Sequence, residues 1–407
     1  MKIGIIGGGA AGLTAAIQAA TECNEVTVLE HTDRVGKKIL STGNGKCNLT
    51  NTDQRLEHYH GTHPDFAGHI FRQCSYSEVL HFFTKLGIYT KNKNGGLYPY
   101  SEQASAVLDV LRMKAESLQI QICCNTEVDD LELKEQFHVF TTDRCSSEKK
   151  EYLFDRLILA AGGKAAKMTG SDGSGYRIAA SMGHKIIEPL PALVQLRSPD
   201  SFFKGIAGIR CDADIQLYID HVYSNHERGE LQLTDYGISG IPVFQLSGAA
   251  ARALYEHHNV HVRIDFMPDM PSVNDLSTYL QSRIMHTPYK TIGELMIGMF
   301  HKNLCSLFIK QCELKNTEKA ECLSEEEIFK LSKCVKEFSV RINSTNSFDQ
   351  AQTCSGGIDT TEIKDTLESR LVPGLYFAGE IIDINGDCGG YNLQWAWSTG
   401  LLAARML

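Results

Sequence analysis

The residues best equipped for chemistry begin at Gly7-Gly8-Gly9-Ala10-Ala11-Gly12, between the apolar run "KIGIIG" and the helix-like "LTAAIQAATE". Each glycine of this G-x-G-x-x-G pattern has a separate task. Gly7 permits a tight bend, Gly9 lets backbone approach a pyrophosphate, and Gly12 lets a helix lie close on a strand. Ala10 and Ala11 open that helix, whose first N–H groups and partial positive charge would face the phosphates. Glu30 ends a second strand, "EVTVLE", eighteen residues after Gly12. Its carboxylate can accept hydrogen bonds from an adenosine ribose and disfavours a 2′-phosphate. Strand, glycines, helix, strand and acid in register predict a site for FAD or NAD.

Residues 34–51, "RVGKKILSTGNGKCNLTN", tip that choice. An NAD-linked dehydrogenase would continue with regular strand–helix alternation. This chain instead offers Gly36, Gly43 and Gly45, the cations Lys37, Lys38 and Lys46, and Asn44, Cys47 and Asn48 beside them. Such a loop can wrap an extended, doubly charged ligand with backbone donors and lysines; the bland alternative is a solvated basic loop. Further on, a buried strand (157–161) runs through Ala161 into Gly162-Gly163 and resembles the second glycine signature of two-dinucleotide-fold flavoproteins. A late strand (375–378) leads into Gly379-Glu380, similar to the step that holds the ribityl chain in those proteins.

The last stretch is "GDCGGYNLQWAWSTG", residues 386–400, which holds both tryptophans of the chain. Gly389-Gly390 allows close backbone approach, and Tyr391-Asn392-Leu393 start an apolar helix. Its N-terminus would point at the N1–C2=O edge of an isoalloxazine, where a fixed dipole favours the reduced anion. Trp395 and Trp397 read as core anchors of that helix. Acid–base candidates are Tyr391, Lys46 and Cys47, with Asn392, Cys388, Tyr236 and Ser239 behind them. Each has a packing alternative, the two cysteines above all. No second G-x-G-x-x-G follows a strand, and no Cys-x4-Cys accompanies the flavin motifs. No Cys/His group has zinc spacing, so no metal is expected; "HHNVH" at 257–261 reads as a loop into a strand.

The elements that position these motifs need a chain of some size. At 407 residues, two or three domains are expected. The composition is that of a globular protein, 43% hydrophobic and 22% charged. A net charge of -9 with no compensating basic block argues against a nucleic-acid partner. No run approaches the roughly 18 apolar residues of a membrane span. The N-terminal apolar run is broken by glycines and lacks a cleavage-like site, unlike a signal peptide. Thirteen cysteines, an odd number without disulfide patterning, read as reduced thiols of a cytoplasmic protein.

Together "GGGAAGLTAA", "GKKILSTGNGKCNLTN", "LILAAGGKAAKMTGSDGSGY", "GELQLTDYGISGIPVFQLS", "FDQAQTCSGGID" and "GLYFAGEIIDINGDCGGYNLQWAWSTG" resemble the three-domain bacterial flavoproteins of the BaiN-like, aminoacetone-oxidase-like family, over essentially the whole length. Two departures stand out: Asn44 and Lys46 where the family has glycine and arginine, and Thr353-Cys354 where it has Val-Thr after Ala-Gln. Lys46 keeps the charge but loses the planar fork. The resemblance implies an α/β fold: a Rossmann-like FAD-binding domain of the two-dinucleotide-fold flavoprotein type, residues 1–189 and 351–407. It implies an inserted β-barrel-like domain (190–266 and 337–350) and a small helical domain (267–336). It adds Val128 to the cofactor contacts. It further implies non-covalent FAD, a small-molecule substrate, and hydride transfer by one of two routes. In one, NAD(P)H reduces the flavin, which reduces a carbon–carbon double bond of an enone or steroid-like substrate. In the other, oxygen reoxidises a flavin reduced by a small amine such as aminoacetone. A non-catalytic flavin sensor is a third reading. The oligomeric state does not follow from the sequence.

Overall fold

The computed structural model describes residues 1–407 and divides into two compact units. One is Met1–Pro191 with Phe348–Leu407; the other is Ala192–Ser347.

In the first unit five parallel strands form one sheet, in the order Leu375–Phe377, Arg156–Leu159, Lys2–Ile6, Glu25–Leu29, Gln121–Cys123. Helices cover a parallel sheet on both faces, so its strands are apolar without alternation. Ile3 and Ile5 are wholly buried, and Ile5 lies in register between Ile158 and Val28. The strand at Leu375–Phe377 comes from the far end of the chain, so both ends build one sheet. A three-stranded antiparallel sheet, Thr126–Leu133, Phe137–Asp143 and Lys149–Phe154, occupies the connection between Gln121–Cys123 and Arg156–Leu159. The helix Ala10–Thr21 packs on the C-terminal helix Tyr391–Arg405. Contact is close because Gly400 has no side chain: a Cβ there would lie 2.4 Å from the Ala11 carbonyl oxygen.

The second unit carries a seven-stranded sheet ordered Phe338–Ile342, Val260–Asp265, Arg210–Ile219, Val222–Leu233, Gly237–Ser239, Leu196–Arg197, Ser344–Thr345. Its two edge strands are separated in the chain by Asn343 alone, so the sheet must curl on itself. Ahead of it Ala192 ends the strand Ile186–Ala192, and the chain returns to strand at Leu196–Arg197. The stretch 267–336 supplies helices at Val273–His286, Ile292–Leu295, Lys302–Gln311 and Glu325–Lys336. Ser324 and Glu327 form a capping box, with Glu327 N–H donating to Ser324 Oγ at 3.2 Å and Ser324 N–H donating to Glu327 Oε2 at 2.9 Å. These helices and the sheet bury their apolar faces in one core, where Phe308 meets Phe266 and Phe338 with ring centroids 5.2 and 5.9 Å apart. All thirteen cysteines are free thiols, and no helix is long and apolar enough to cross a membrane.

Candidate cofactor cradle and the adjoining site

The glycine turn has the geometry its spacing predicts. Gly7 has φ +103°, and its N–H donates to the Leu29 carbonyl at 2.8 Å. A Cβ at Gly7 would meet the Ala160 carbonyl oxygen at 2.5 Å, and one at Gly12 the Gly7 oxygen at 1.9 Å. Gly9 differs: a Cβ there would find nothing within 4 Å. Gly7 and Gly12 are therefore glycines for the fold, and Gly9 leaves open space before the helix that Ala10 and Ala11 begin. A cleft beside the turn is lined by Gly7, Glu30, His31, Val128, Ala161 and Ser174. Glu30 is buried, and its two oxygens accept from Gly8 N–H and Thr32 N–H, both at 2.8 Å. This acid thus shapes the turn as well as facing the cleft, a role its spacing did not reveal. Gly162, at φ +74°, would set a Cβ 3.0 Å from Ser171 Oγ.

The lysine-rich segment is more ordered than a loop. Gly36 turns into a short helix, Lys37–Ser41, followed by a 3₁₀ turn at Thr42–Gly45. The lysines disperse. Lys37 pairs with Asp33 one turn before it. Lys38 donates to Glu380 Oε2 at 2.6 Å and to the Ala165 carbonyl at 3.3 Å. Glu380 Oε1 accepts from Thr353 Oγ1 at 3.0 Å and Cys354 N–H at 3.1 Å, so Lys38 ties the first cofactor loop to the late Gly379-Glu380 step. Lys46 is half exposed and pairs with Glu102 at 3.2 Å. Gly43, Asn44 and Gly45 are exposed and left-handed in φ, at +55°, +54° and +81°. Cys47 is fully buried, and burial pushes its thiol up to about 12. It is a neutral packing group here, which sets aside thiolate chemistry at that position. Asn48 is buried with its Oδ1 unpartnered.

The C-terminal turn explains where the tryptophans sit. Gly389 and Gly390 have φ +126° and +101°, and Gly390 caps the helix that starts at Tyr391. A Cβ at Gly390 would press on the Thr50 backbone at 2.8 Å. Trp395 and Trp397 are buried, and each spends its indole N–H on a cofactor motif. Trp395 Nε1 donates to the Gly379 carbonyl and Trp397 Nε1 to the Leu49 carbonyl, both at 3.0 Å. The two side chains brace the helix against both loops from inside the core. Asn392 works inward: its Oδ1 accepts from Gly386 N–H at 2.8 Å and its Nδ2 donates to the Gly386 carbonyl at 2.7 Å. Leu393 is partly buried against the same core.

Tyr391 is buried, and its ring stacks on His58 with centroids 4.4 Å apart. Burial first, and then the carboxylates of Asp53 and Asp387, push its phenol up to about 12. His58 belongs to a network that the sequence did not disclose. Its Nδ1 meets Asp387 Oδ2 at 2.9 Å, its Nε2 meets Asp53 Oδ2 at 3.1 Å, and His60 Nε2 meets Asp387 Oδ1 at 2.7 Å. Burial opposes a charge on His58, but the hydrogen bonds its ring N–H groups donate to Asp387 and Asp53 outweigh it, and its pKa is raised. These residues are scattered over 53–60 and 387 and carry no motif spacing. A short strand pair, Tyr59–His60 with Asn385–Gly386, brings them together.

The parts fit an extended dinucleotide. The glycine cradle is open only where a phosphate would approach, a cleft bounded by Glu30 and Val128 continues from it, and the Asn48 amide oxygen is buried without a partner. Comparison with known proteins agrees: residues 1–406 match the HI0933-like protein Rossmann domain. The chain belongs to the HI0933-like Rossmann family. It is 43% identical, over 99% of its length and 98% of the relative's, to a 3-dehydro-bile acid delta(4,6)-reductase of Clostridium scindens. It is 29% identical, over 98% of its length and 96% of the relative's, to a ribosomal RNA dihydrouridine synthase of Haemophilus influenzae. Among solved structures it is similar to a 3-ketosteroid-delta4-(5alpha)-dehydrogenase of Rhodococcus jostii, at 14% identity over 99% and 96% of the two chains, with a TM-score of 0.46. This protein is an oxidoreductase of a flavin-dependent enzyme family.

Proposed function

We propose that the protein is an FAD-dependent reductase that adds hydrogen across a carbon–carbon double bond conjugated to a carbonyl, in an enone or steroid-like substrate, with NAD(P)H as the electron donor. The observation that carries this reading is the end-to-end 43% identity to the bile acid reductase together with the matching cradle. The ribosomal RNA relative supports the same bond chemistry, since a uracil ring also presents a double bond conjugated to a carbonyl. Both relatives are named for saturating such a bond, which favours the reductase over the amine oxidase.

FAD, when bound, supplies hydride chemistry. The chain's own residues hold and tune it. Gly7, Gly9, Ala10, Ala11 and Gly12 would take the pyrophosphate; Glu30, Val128, Ala161 and Gly162 the adenosine end; Glu380, fixed by Lys38, the ribityl stretch. Gly43, Asn44, Gly45 and Asn48 would close over the ring system, and the first turn of Tyr391–Arg405 would favour negative charge on it. Tyr391 keeps its proton at neutral pH, the state a general acid needs to protonate the saturating substrate. Lys37 and Lys46, bound to carboxylates of their own, would add positive potential rather than touch the flavin.

The test is anaerobic. Purified yellow protein is mixed with NADH, NADPH or aminoacetone, and flavin absorbance is followed. Bleaching by a nicotinamide cofactor, then recovery on adding a 3-keto-4-ene steroid, is the expected result. Bleaching by the amine alone, with recovery only in oxygen, would turn the assignment to the oxidase.

A further inference from the structure

One charged surface of the first unit flanks the cofactor loop. The hairpin of Thr90–Lys93 and Gly96–Pro99 sets Lys91 opposite Tyr98 and Lys93 opposite Gly96. Side chains two residues apart share a face, and on this face Lys91 and Lys93 both reach Glu102, which also takes Lys46 from the cofactor loop. Three ammonium groups on one carboxylate leave two positive charges uncompensated, in a chain of net charge -9. Beside them Tyr89 and Tyr100 are 76% and 63% exposed, with rings 5.6 Å apart, and the Lys91 ammonium lies 5.2 Å from the Tyr100 ring centre. Glu102 itself has φ +53°, a left-handed backbone uncommon for a side chain of its kind.

The face is continuous with the site. Gly96 pairs with Asn51, and the Asn51 amide donates to the Gly389 carbonyl at 3.0 Å. One strand therefore separates the hairpin from the turn that starts the C-terminal helix.

We propose that this hairpin face is the subsite for the anionic end of the substrate: Lys91, Lys93 and Lys46 receive a carboxylate, while Tyr89 and Tyr100 cover the adjoining apolar ring. The proposal deepens the reductase reading and rests on it. Clustered cations beside exposed aromatic rings suit an amphipathic ligand, a flat apolar body with one terminal charge. The lysines converge on a single point already shaped to hold a carboxylate, that of Glu102. A nucleic-acid strand would instead want cations spaced along a track.

The experiment compares two substrates of the holoenzyme, a 3-oxo-4-ene steroid bearing a side-chain carboxylic acid and the neutral 4-androstene-3,17-dione. In Lys91→Ala/Lys93→Ala, KM for the acid should rise about tenfold, the scale of a lost charge-assisted hydrogen bond near the surface. KM for the neutral steroid and kcat for both should stay unchanged, and Lys91→Arg/Lys93→Arg should restore the acid's KM. Equal effects on both substrates, or none on either, would overturn the subsite. If the parent reduces neither steroid, the reductase reading falls separately, and calorimetry with the acid and its methyl ester decides the subsite. Preference for the acid that vanishes in the alanine variant upholds it, and equal affinities overturn it. Tighter binding of oligouridylate than of the acid, lost in the same variant, would also overturn it and assign the face to nucleic acid.

Discussion

Gly9 and His58 show how differently single residues can be tested. Gly9 has an extended backbone (φ -80°, ψ -161°) and open space where a side chain would stand. Gly9→Val should therefore leave the fold within about 0.5 kcal/mol of the parent, as for substitutions away from packing, yet emerge from gel filtration without flavin. A thermal melt beside the visible spectrum checks both halves, and a yellow variant would remove Gly9 from the cradle. Gly390→Val would be a poor test of the same idea, because its clash with the Thr50 backbone disturbs the turn whether or not a ligand is present. His58 offers a pH test. Its folded pKa is raised, so the stability it lends is complete below the unfolded imidazole value of about 6.5 and is lost as pH rises through the higher folded value. Parent Tm should fall over that interval more steeply than the Tm of His58→Gln. Parallel curves would mean that Asp387 and Asp53 do not hold a charged ring.

Among the elements, the C-terminal helix carries the largest structural share of the site. It reaches Leu49 and Gly379 through two indole N–H groups, and Thr399 Oγ1 accepts from Gly379 N–H at 2.9 Å. Trp397→Phe keeps an aromatic ring against Phe83, whose centroid lies 4.9 Å away, but leaves the Leu49 carbonyl without its donor. The expected loss is about 1–3 kcal/mol, the cost of a buried unpartnered acceptor, read by urea unfolding. Flavin should also dissociate faster, since the loop through Asn48 loses its anchor. A stability loss with an unchanged flavin off-rate would confine the tryptophan to the core.

For the whole molecule, the two units make different demands on the chain. Ala192–Ser347 is continuous and encloses its own core, so residues 192–347 expressed alone should fold and melt cooperatively without flavin. Circular dichroism with limited proteolysis checks this; a non-cooperative melt would show that the unit needs its flanks. The flavin unit cannot be cut in the same way, because Leu375–Phe377 completes the sheet begun by Lys2–Ile6.

Legible along the chain were the tight turn at Gly7, the late strand that joins the N-terminal sheet and the helix after Gly389-Gly390. These depend on local matters: positive φ at glycine, apolar runs, caps, and motifs that keep their spacing along the chain. How the charged side chains pair is a matter of long-range contacts. Lys37, Lys38 and Lys46 look alike within one segment, yet they go to Asp33, Glu380 and Glu102, partners 4, 342 and 56 residues away. Nor could spacing announce that Glu30 holds Gly8, that Cys47 is sealed from water, or that His58 meets Asp387 across 329 residues. An ion pair or a buried thiol has no period and no local signature. Its energy depends on distance and on exclusion of water, and both are set only when the strands that bring the groups together have paired.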